Sequence, residues 1–188
     1  VKFGYSKEKI IIKDFSLKVK SGQKIAIVGP TGSGKTTLVK LLMRFYPLKD
    51  GAIYIDDCNI KNFNREDYRH AFGMVLQDAW LFSGTIMENL RYGKLDATDE
   101  EVIASAKAAH IDHFIKTLPG GYSMELNEET SNVSSGQKQL LTIARAILAN
   151  PKVMILDEAT SNVDTRTEVL IQKAMDELMK GRTSFIIA

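Results

Sequence analysis

Two different spacings of hydrophobic residues follow one another in the first 45 residues. Phe15, Leu17 and Val19 alternate with polar residues, which predicts a half-buried strand in an antiparallel layer. Residues 24–28 show no alternation after the first lysine and predict a strand covered on both faces, as in a parallel sheet. Apolar residues then recur at helical spacing from 38 to 45, which predicts a helix with one buried face.

Further along the chain the pattern predicts short strands and then a long helical stretch. Strands are predicted at 53–55 and 72–76. Residues 78–150 are interpreted as a mostly helical insertion, in which Thr98 and Glu101 form a capping box at the start of a helix.

From residue 140 onwards, predicted helices and strands alternate. A helix is predicted from 140 to 148, a buried strand at 153–156, a helix over about 165–179 and a β-branched strand from 183 to the end. This order of strands and helices predicts an α/β fold.

Eight residues between the strand at 24–28 and the helix after it fit the phosphate-loop pattern G-x-x-x-x-G-K-[ST]. They are Gly29-Pro30-Thr31-Gly32-Ser33-Gly34-Lys35-Thr36. Glycines let the backbone curl so that its N–H groups cradle phosphate oxygens, and the helix adds its positive N-terminal end. We expect Lys35 to reach the β- and γ-phosphates and the Thr36 hydroxyl to bind Mg²⁺. Kinases, GTPases and transport motors share this loop, so it predicts a nucleotide ligand rather than one function.

Two carboxylates follow the buried strand at 153–156. Asp157 is expected to hold Mg²⁺ through its water shell, and Glu158 to polarise the attacking water as general base. A parallel strand that ends beside a phosphate loop would bring both groups to the nucleotide. The alternative is a solvated acidic turn.

A second anion site is predicted where Ser134-Ser135-Gly136-Gln137 opens a helix. Ser134 and Gln137 fit a capping box, and free N–H groups at a helix start also bind anions. This segment lies about a hundred residues after the phosphate loop, so nothing obliges it to face the nucleotide of the same chain.

Composition narrows the class of protein. Hydrophobic residues make up 44% and charged residues 26% of the 188, with a net charge of +2, which is typical of a soluble globular domain. This composition argues against a disordered chain and against electrostatic capture of nucleic acid.

Cys58 is the single cysteine, so a reducing cytosolic setting is expected. No apolar run approaches the ~18 residues of a membrane span, and a chain that begins with Val1 is expected to be part of a longer one.

Five motifs in this order resemble the nucleotide-binding domain of ATP-binding cassette (ABC) transporters. They are the phosphate loop, Val75-Leu76-Gln77-Asp78, Val133-Ser134-Ser135-Gly136-Gln137, Ile155-Leu156-Asp157-Glu158 and Ser161-Asn162-Val163-Asp164. The resemblance implies a P-loop NTPase core with a mixed or parallel sheet and an N-terminal antiparallel β layer. It also implies a helical subdomain inserted between the Q-loop, which contains Gln77, and the Walker B strand, which ends at Asp157 and Glu158. The expected units are residues 1–77, 78–150 and 151–188.

The same resemblance implies ATP and Mg²⁺ as ligands and a second nucleotide-binding domain as partner, identical or different. In the family, two such domains close head to tail, so that each ATP lies between the phosphate loop of one and the signature motif of the other. The residues implied to bind ATP are Tyr5, Gly29 to Thr36, Thr37, Gln77, Ser134, Gly136, Gln137, Asp157 and Asp164. Those implied for Mg²⁺ are Thr36, Gln77 and Asp157, and those for catalysis are Glu158, Lys35 and Gln77. Tyr5 would stack on adenine, its alternative being a tyrosine of the core.

The segment from 78 to 89 resembles exporters, in which this region meets the membrane domain. This favours an exporter over an importer and places the domain at the cytoplasmic face of a membrane, with its transmembrane domain on the same polypeptide and no nucleic-acid partner. The apolar residues of this segment could instead simply pack within the insertion.

Two departures from the family pattern leave other functions open. The signature has Val133 and Ser135 where leucine and glycine are usual, and the chain ends at Ala188, where the switch histidine would come next. The alternatives are therefore a nucleotide-binding module with little hydrolysis of its own, or a soluble ABC ATPase that does not transport.

Overall fold

A computed structural model describes residues 1–5, 10–76, 79–127, 133–157 and 163–187. Within these ranges the strands and helices are, in chain order, β1 (Lys24–Ile27), α1 (Lys35–Leu42), β2 (Tyr54–Ile55), β3 (Cys58–Asn59), α2 (Arg65–His70), β4 (Phe72–Val75), β5 (Gly84–Thr85), α3 (Ile86–Arg91), α4 (Asp99–Ala108), α5 (Asp112–Thr117), β6 (Glu125–Leu126), α6 (Ser135–Ala149), β7 (Val153–Asp157), α7 (Thr165–Met179) and β8 (Thr183–Ile187).

The main sheet is parallel throughout and has the strand order β1-β8-β7-β4. Ile187 at the end of β8 is in register with Ile27 on one side and with Asp157 on the other. The carboxyl ends of β1, β8 and β7 therefore lie side by side at the same end of the sheet. At about 4.8 Å per strand, the backbones of Ile27 and Asp157 lie about 10 Å apart there.

The two strands that the sequence predicts to be buried, β1 and β7, differ in how far they are covered. In β7, Met154, Ile155 and Leu156 are fully buried, as expected for a central parallel strand. In β1, exposed and half-buried residues alternate, so the expectation of a strand covered on both faces is wrong for β1. The reason is that β1 lies at the side of the sheet, where β8 is the only element of the described chain that packs on it extensively, so its faces are left partly uncovered.

The helical stretch packs against the sheet through one continuous core. Along α6, a buried stripe that includes Leu140, Leu141 and Ala144 faces α3, α4, α7 and β4. The same core contains Leu156 of β7 and Leu178 of α7. The helices predicted for this stretch are therefore present, and the structure adds a two-stranded pairing of β5 with β6.

The antiparallel pairing near the N-terminus is less extensive than the pattern predicts. In the described part of this region it comprises the hairpin β2–β3 and two isolated bridges, Lys2 with Asp50 and Phe3 with Ile12. Residues 15–19 form no strand, and Phe15 and Leu17 are exposed. The predicted strand there is wrong: Val1 and Phe15 exchange two backbone hydrogen bonds, but this pairing does not continue along 16–19, so the alternating face stays uncovered.

Helix ends follow their capping chemistry. Thr98 and Ser134 form the predicted capping boxes of α4 and α6, and α7 has the predicted bounds. In contrast, α1 ends at Leu42, three residues before the predicted end, because Arg44 takes a left-handed conformation with φ 56°.

Among the described residues, no helix has both the length and the apolar character that crossing a bilayer requires.

Candidate nucleotide site

Residues 30–37 and Ile11 line a cavity of about 310 Å³. The cavity lies between the carboxyl end of β1 and the first turn of α1, as the phosphate-loop motif predicts. Backbone N–H groups in such a loop, together with the helix N-terminus, suit a phosphate chain.

Gly34 is required at its position for two independent reasons. Its φ is 100°, which favours glycine, and a Cβ there would lie 2.9 Å from both Ile11 Cγ2 and Ile12 Cδ1. Gly34 also precedes α1 and gives no side-chain cap to the helix. The first N–H groups of α1 are therefore left for a ligand in the cavity.

Lys35 reaches back across the loop. Its Nζ donates to the carbonyl oxygen of Gly29 and lies 3.5 Å from that of Pro30. The Ser33 N–H donates to the Pro30 carbonyl over 3.1 Å, which closes the turn. The loop thus holds the ammonium group beside the space that phosphates would fill, with the exposed Thr36 on the same cavity wall.

Tyr5 stands beside this cavity. Its hydroxyl lies 3.4 Å from Thr37 Oγ1, and its ring packs edge to face against Phe3 and Tyr46. About half of the Tyr5 side chain, 51%, remains exposed. The structure therefore joins Tyr5 and Thr37 to the phosphate loop, as the site prediction requires.

Of the two acidic residues at the end of β7, Asp157 lies within the described residues. Asp157 closes the strand, is half-buried and belongs to the sheet edge that carries the phosphate loop. Glu158 and Gln77, the predicted general base and Q-loop glutamine, lie outside the described residues.

The signature residues gather in a second cluster, at the N-termini of α6 and α7. The Gln137 N–H donates to Ser134 Oγ over 3.3 Å, and the Ser134 N–H donates to Gln137 Oε1 over 2.9 Å. A Cβ on the buried Gly136 would lie 2.5 Å from Thr167 Cγ2, so the signature glycine packs directly on α7.

Asp164 caps α7 in this second cluster. Its carboxylate accepts the Thr167 N–H over 3.0 Å. Hydrogen bonds from Thr167 hold the pKa of Asp164 below its usual range. None of Ser134, Gly136, Gln137 and Asp164 lines the phosphate-loop cavity. The structure thus separates the predicted site residues into two groups within one chain.

The family described as ABC transporter matches residues 12–161 of this sequence. The chain belongs to the ABC transporter family. The family expected from the five motifs is therefore confirmed, and with it an ATP-binding domain.

Individual ABC transporter proteins match this chain over its whole length. A fatty acid ABC transporter ATP-binding/permease protein of Mycobacterium bovis is 55% identical over 188 residues, all of this chain and 30% of that protein. The uncharacterized ABC transporter ATP-binding protein YfiC of Bacillus subtilis is 56% identical, again over the whole chain and 31% of its own length. This chain thus spans about a third of these relatives.

A solved structure of a bacterial Atm1-family ABC exporter with ATP bound superposes with a TM-score of 0.90. It is 42% identical, and the match covers 100% of this chain and 33% of that one. The expected fold, an α/β ABC domain with a P-loop core and helices, is confirmed by this match.

Sequence reasoning about this ABC domain missed residues that only folding brings to the site. Ile11 lines the cavity, and Tyr46 packs on Tyr5 although 41 positions separate them. No local pattern signals either residue, because the first comes from the N-terminal bridge and the second from the turn after α1.

A buried polar network was also missed, between α3 and α6. Asn89 is fully buried, and its side chain binds the backbone N–H and carbonyl of Phe82 at 3.1 and 2.9 Å. Arg145 of α6 donates to the carbonyl oxygens of Asn89 and Trp80. Burial lowers the pKa of Arg145, whose guanidinium lies 5.5 Å from the centre of the Tyr92 ring.

Proposed function

We propose that this chain is the ATP-hydrolysing motor domain of an ABC exporter and that it works as one of two domains closed head to tail around ATP. The observation that carries the proposal is the separation of the two groups of site residues. The phosphate-loop cavity and the signature cluster share no lining residue, so each needs a complement from a second domain. The exporter structure that this chain resembles has ATP bound.

The phosphate-loop cavity suits the triphosphate of ATP. Backbone N–H groups of residues 31–37 would donate to phosphate oxygens, the Lys35 ammonium would neutralise part of their charge, and Tyr5 would stack on the adenine. In the closed pair, Ser134 of the partner subunit and Gly136 of the partner subunit would contact the γ-phosphate from the other side.

The residues at the carboxyl edge of the sheet also fit Mg²⁺. Thr36 offers a hydroxyl in the cavity and Asp157 a carboxylate at the same edge, and oxygen is the ligand that Mg²⁺ prefers. When bound, the ion would neutralise charge on the β- and γ-phosphates.

Hydrolysis then needs a base. Glu158 follows Asp157 directly and would accept a proton from the water that attacks the γ-phosphorus. As the new O–P bond forms, the bond to the bridging oxygen breaks and ADP departs. Lys35 and the donors of the partner domain would stabilise the charge on the transferred group.

An exposed aromatic surface supports attachment to a membrane domain on the same polypeptide, and so a place at the cytoplasmic face of a membrane. Trp80 is 63% exposed and Tyr92 57%, and both rings pack against Phe82. Contiguous exposed apolar side chains are typical of a protein interface. The fatty acid in the name of the mycobacterial relative belongs to that protein, and we propose no cargo for this one.

The test is ATP turnover by the complete protein carrying Glu158→Gln. We expect turnover to fall by about 10²- to 10⁴-fold, since a positioned base contributes that much, with ATP binding retained. The matched control Glu66→Gln, at an exposed position on α2, should change neither. Light scattering should show ATP-dependent pairing of the Glu158→Gln domain.

Two outcomes would contradict the proposal. Wild-type turnover in Glu158→Gln would remove Glu158 from the role of base. Full ATP binding in Lys35→Ala would show that the nucleotide binds elsewhere.

A further inference from the structure

We propose that Tyr46 is a positioning residue for the nucleotide base: it holds the ring of Tyr5 in the orientation in which that ring stacks on adenine. The inference deepens the proposed function and rests on it. No motif identified in the sequence contains Tyr46.

Three contacts fix the Tyr5 side chain. The Tyr46 ring centre lies 5.1 Å from that of Tyr5 with the planes at 84°, and Phe3 lies at 5.2 Å with the same angle. The hydroxyl lies 3.4 Å from Thr37 Oγ1. Edge-to-face packing is the favoured geometry of aromatic pairs, so these contacts select one ring orientation.

Phe3 and Tyr46 differ in how firmly each is held. Phe3 is buried, and its backbone exchanges hydrogen bonds with Ile12, whose side chain packs beside Gly34. Tyr46 is 39% exposed, and its ring also packs against Phe3, with the ring centres 5.9 Å apart. Phe3 therefore belongs to the core, whereas Tyr46 lies at its border, where a substitution should disturb the core less than one at Phe3.

The end of α1 brings Tyr46 to this place. The Arg44 N–H donates to the Leu41 carbonyl, and the Phe45 N–H to that of Lys40 over 2.9 Å. With Arg44 in the left-handed conformation, this is a Schellman turn, which reverses the chain. The helix that begins at the phosphate loop thus ends by placing Tyr46 against Tyr5.

A change at Tyr46 should affect binding of the adenine base and not binding of the phosphates. Tyr46 does not line the phosphate-loop cavity, so its loss should leave the triphosphate contacts intact. A side chain that only filled space would alter stability without distinguishing ATP from a triphosphate that has no base.

The experiment measures binding of ATP and of inorganic tripolyphosphate to the complete protein carrying Tyr46→Ala, Tyr46→Phe or the control Tyr54→Ala. Tyr54 is an exposed tyrosine of β2. We expect Tyr46→Ala to weaken ATP binding by about 2- to 10-fold, the range of an aromatic pair, and to leave tripolyphosphate binding unchanged. Tyr46→Phe keeps the ring and should bind like wild type, as should Tyr54→Ala.

Unchanged ATP binding in Tyr46→Ala, or equal weakening of both ligands, would overturn the inference. Tyr5→Ala distinguishes this failure from that of the proposed function. If Tyr5→Ala weakens ATP binding and Tyr46→Ala does not, only the role of Tyr46 is wrong. If neither does, the adenine site itself lies elsewhere. Should Tyr46→Ala not fold, Tyr46→Leu keeps an apolar side chain without the ring and replaces it in the same comparison.

Discussion

Gly34 and Gly22 both have a left-handed backbone, with φ of 100° and 76°, but their surroundings differ. A Cβ at Gly34 would overlap Ile11 and Ile12, whereas a Cβ at Gly22 would meet nothing within 4 Å. The pair therefore separates the cost of the backbone conformation from the cost of overlap in the phosphate loop.

We expect Gly22→Ala to lower the free energy of unfolding by about 1–2 kcal/mol, the cost of a left-handed alanine. Gly34→Ala should lower it by about 1–3 kcal/mol more, because the isoleucines must move. Urea denaturation of both variants measures the difference. Equal losses would mean that Ile11 and Ile12 yield without cost.

At the scale of single residues, local chemistry was predictable and long-range contact was not. The phosphate loop follows from eight adjacent residues, and its predicted place between strand and helix agrees with the structure. Tyr46, Ile11 and the Asn89–Arg145 network come from distant segments, and one sequence holds no signal of which distant residues meet.

At the scale of elements, predictions held where a residue acts on its own helix. Thr98 and Ser134 cap their helices as predicted, and Thr85 with Glu88 forms a third capping box that the same spacing could have revealed. Strand predictions depended on partners: the alternation at 15–19 resembles that of a strand, yet those residues form none. The three predicted units, with boundaries at 77 and 150, remain a proposal.

The cap of α7 makes a prediction about pH. The pKa of Asp164 is lowered in the folded chain by hydrogen bonds from Thr167, so the cap adds stability above the ordinary carboxyl pKa and loses it as pH falls through the lowered value. Asp164→Asn keeps a capping side chain that does not titrate.

The Asp164→Asn variant should therefore lose less stability than wild type when pH falls below about 4. Urea unfolding at several pH values measures this, with Asp176→Asn, an exposed residue of the same helix, as control. Parallel pH profiles for wild type and Asp164→Asn would show that the cap does not contribute to acid sensitivity.

At the scale of the whole molecule, the residues of the signature cluster do not line the phosphate-loop cavity, and the proposed function makes each group one half of an ATP site. The contribution of Ser134 to helix stability can be distinguished from its contribution to ATP binding by comparing it with Thr98, a cap outside the signature cluster. Thr98 caps α4, and Ser134 caps α6 within the signature cluster.

We expect Ser134→Ala and Thr98→Ala each to cost about 1 kcal/mol of unfolding free energy, as lost caps do. Only Ser134→Ala should also weaken ATP-dependent pairing, measured by light scattering in the Glu158→Gln background. If Thr98→Ala weakened pairing equally, the effect of Ser134→Ala would be explained by stability alone.

The contact of Lys35 with the Gly29 carbonyl has a consequence for the timing of nucleotide binding. The loop backbone itself holds this ammonium group, so Lys35 can turn between the Gly29 carbonyl and a phosphate by rotation of its side chain alone. Side-chain rotation takes picoseconds to nanoseconds, far faster than loop rearrangement. The reorientation of Lys35 should therefore not be the step that limits the rate of nucleotide association.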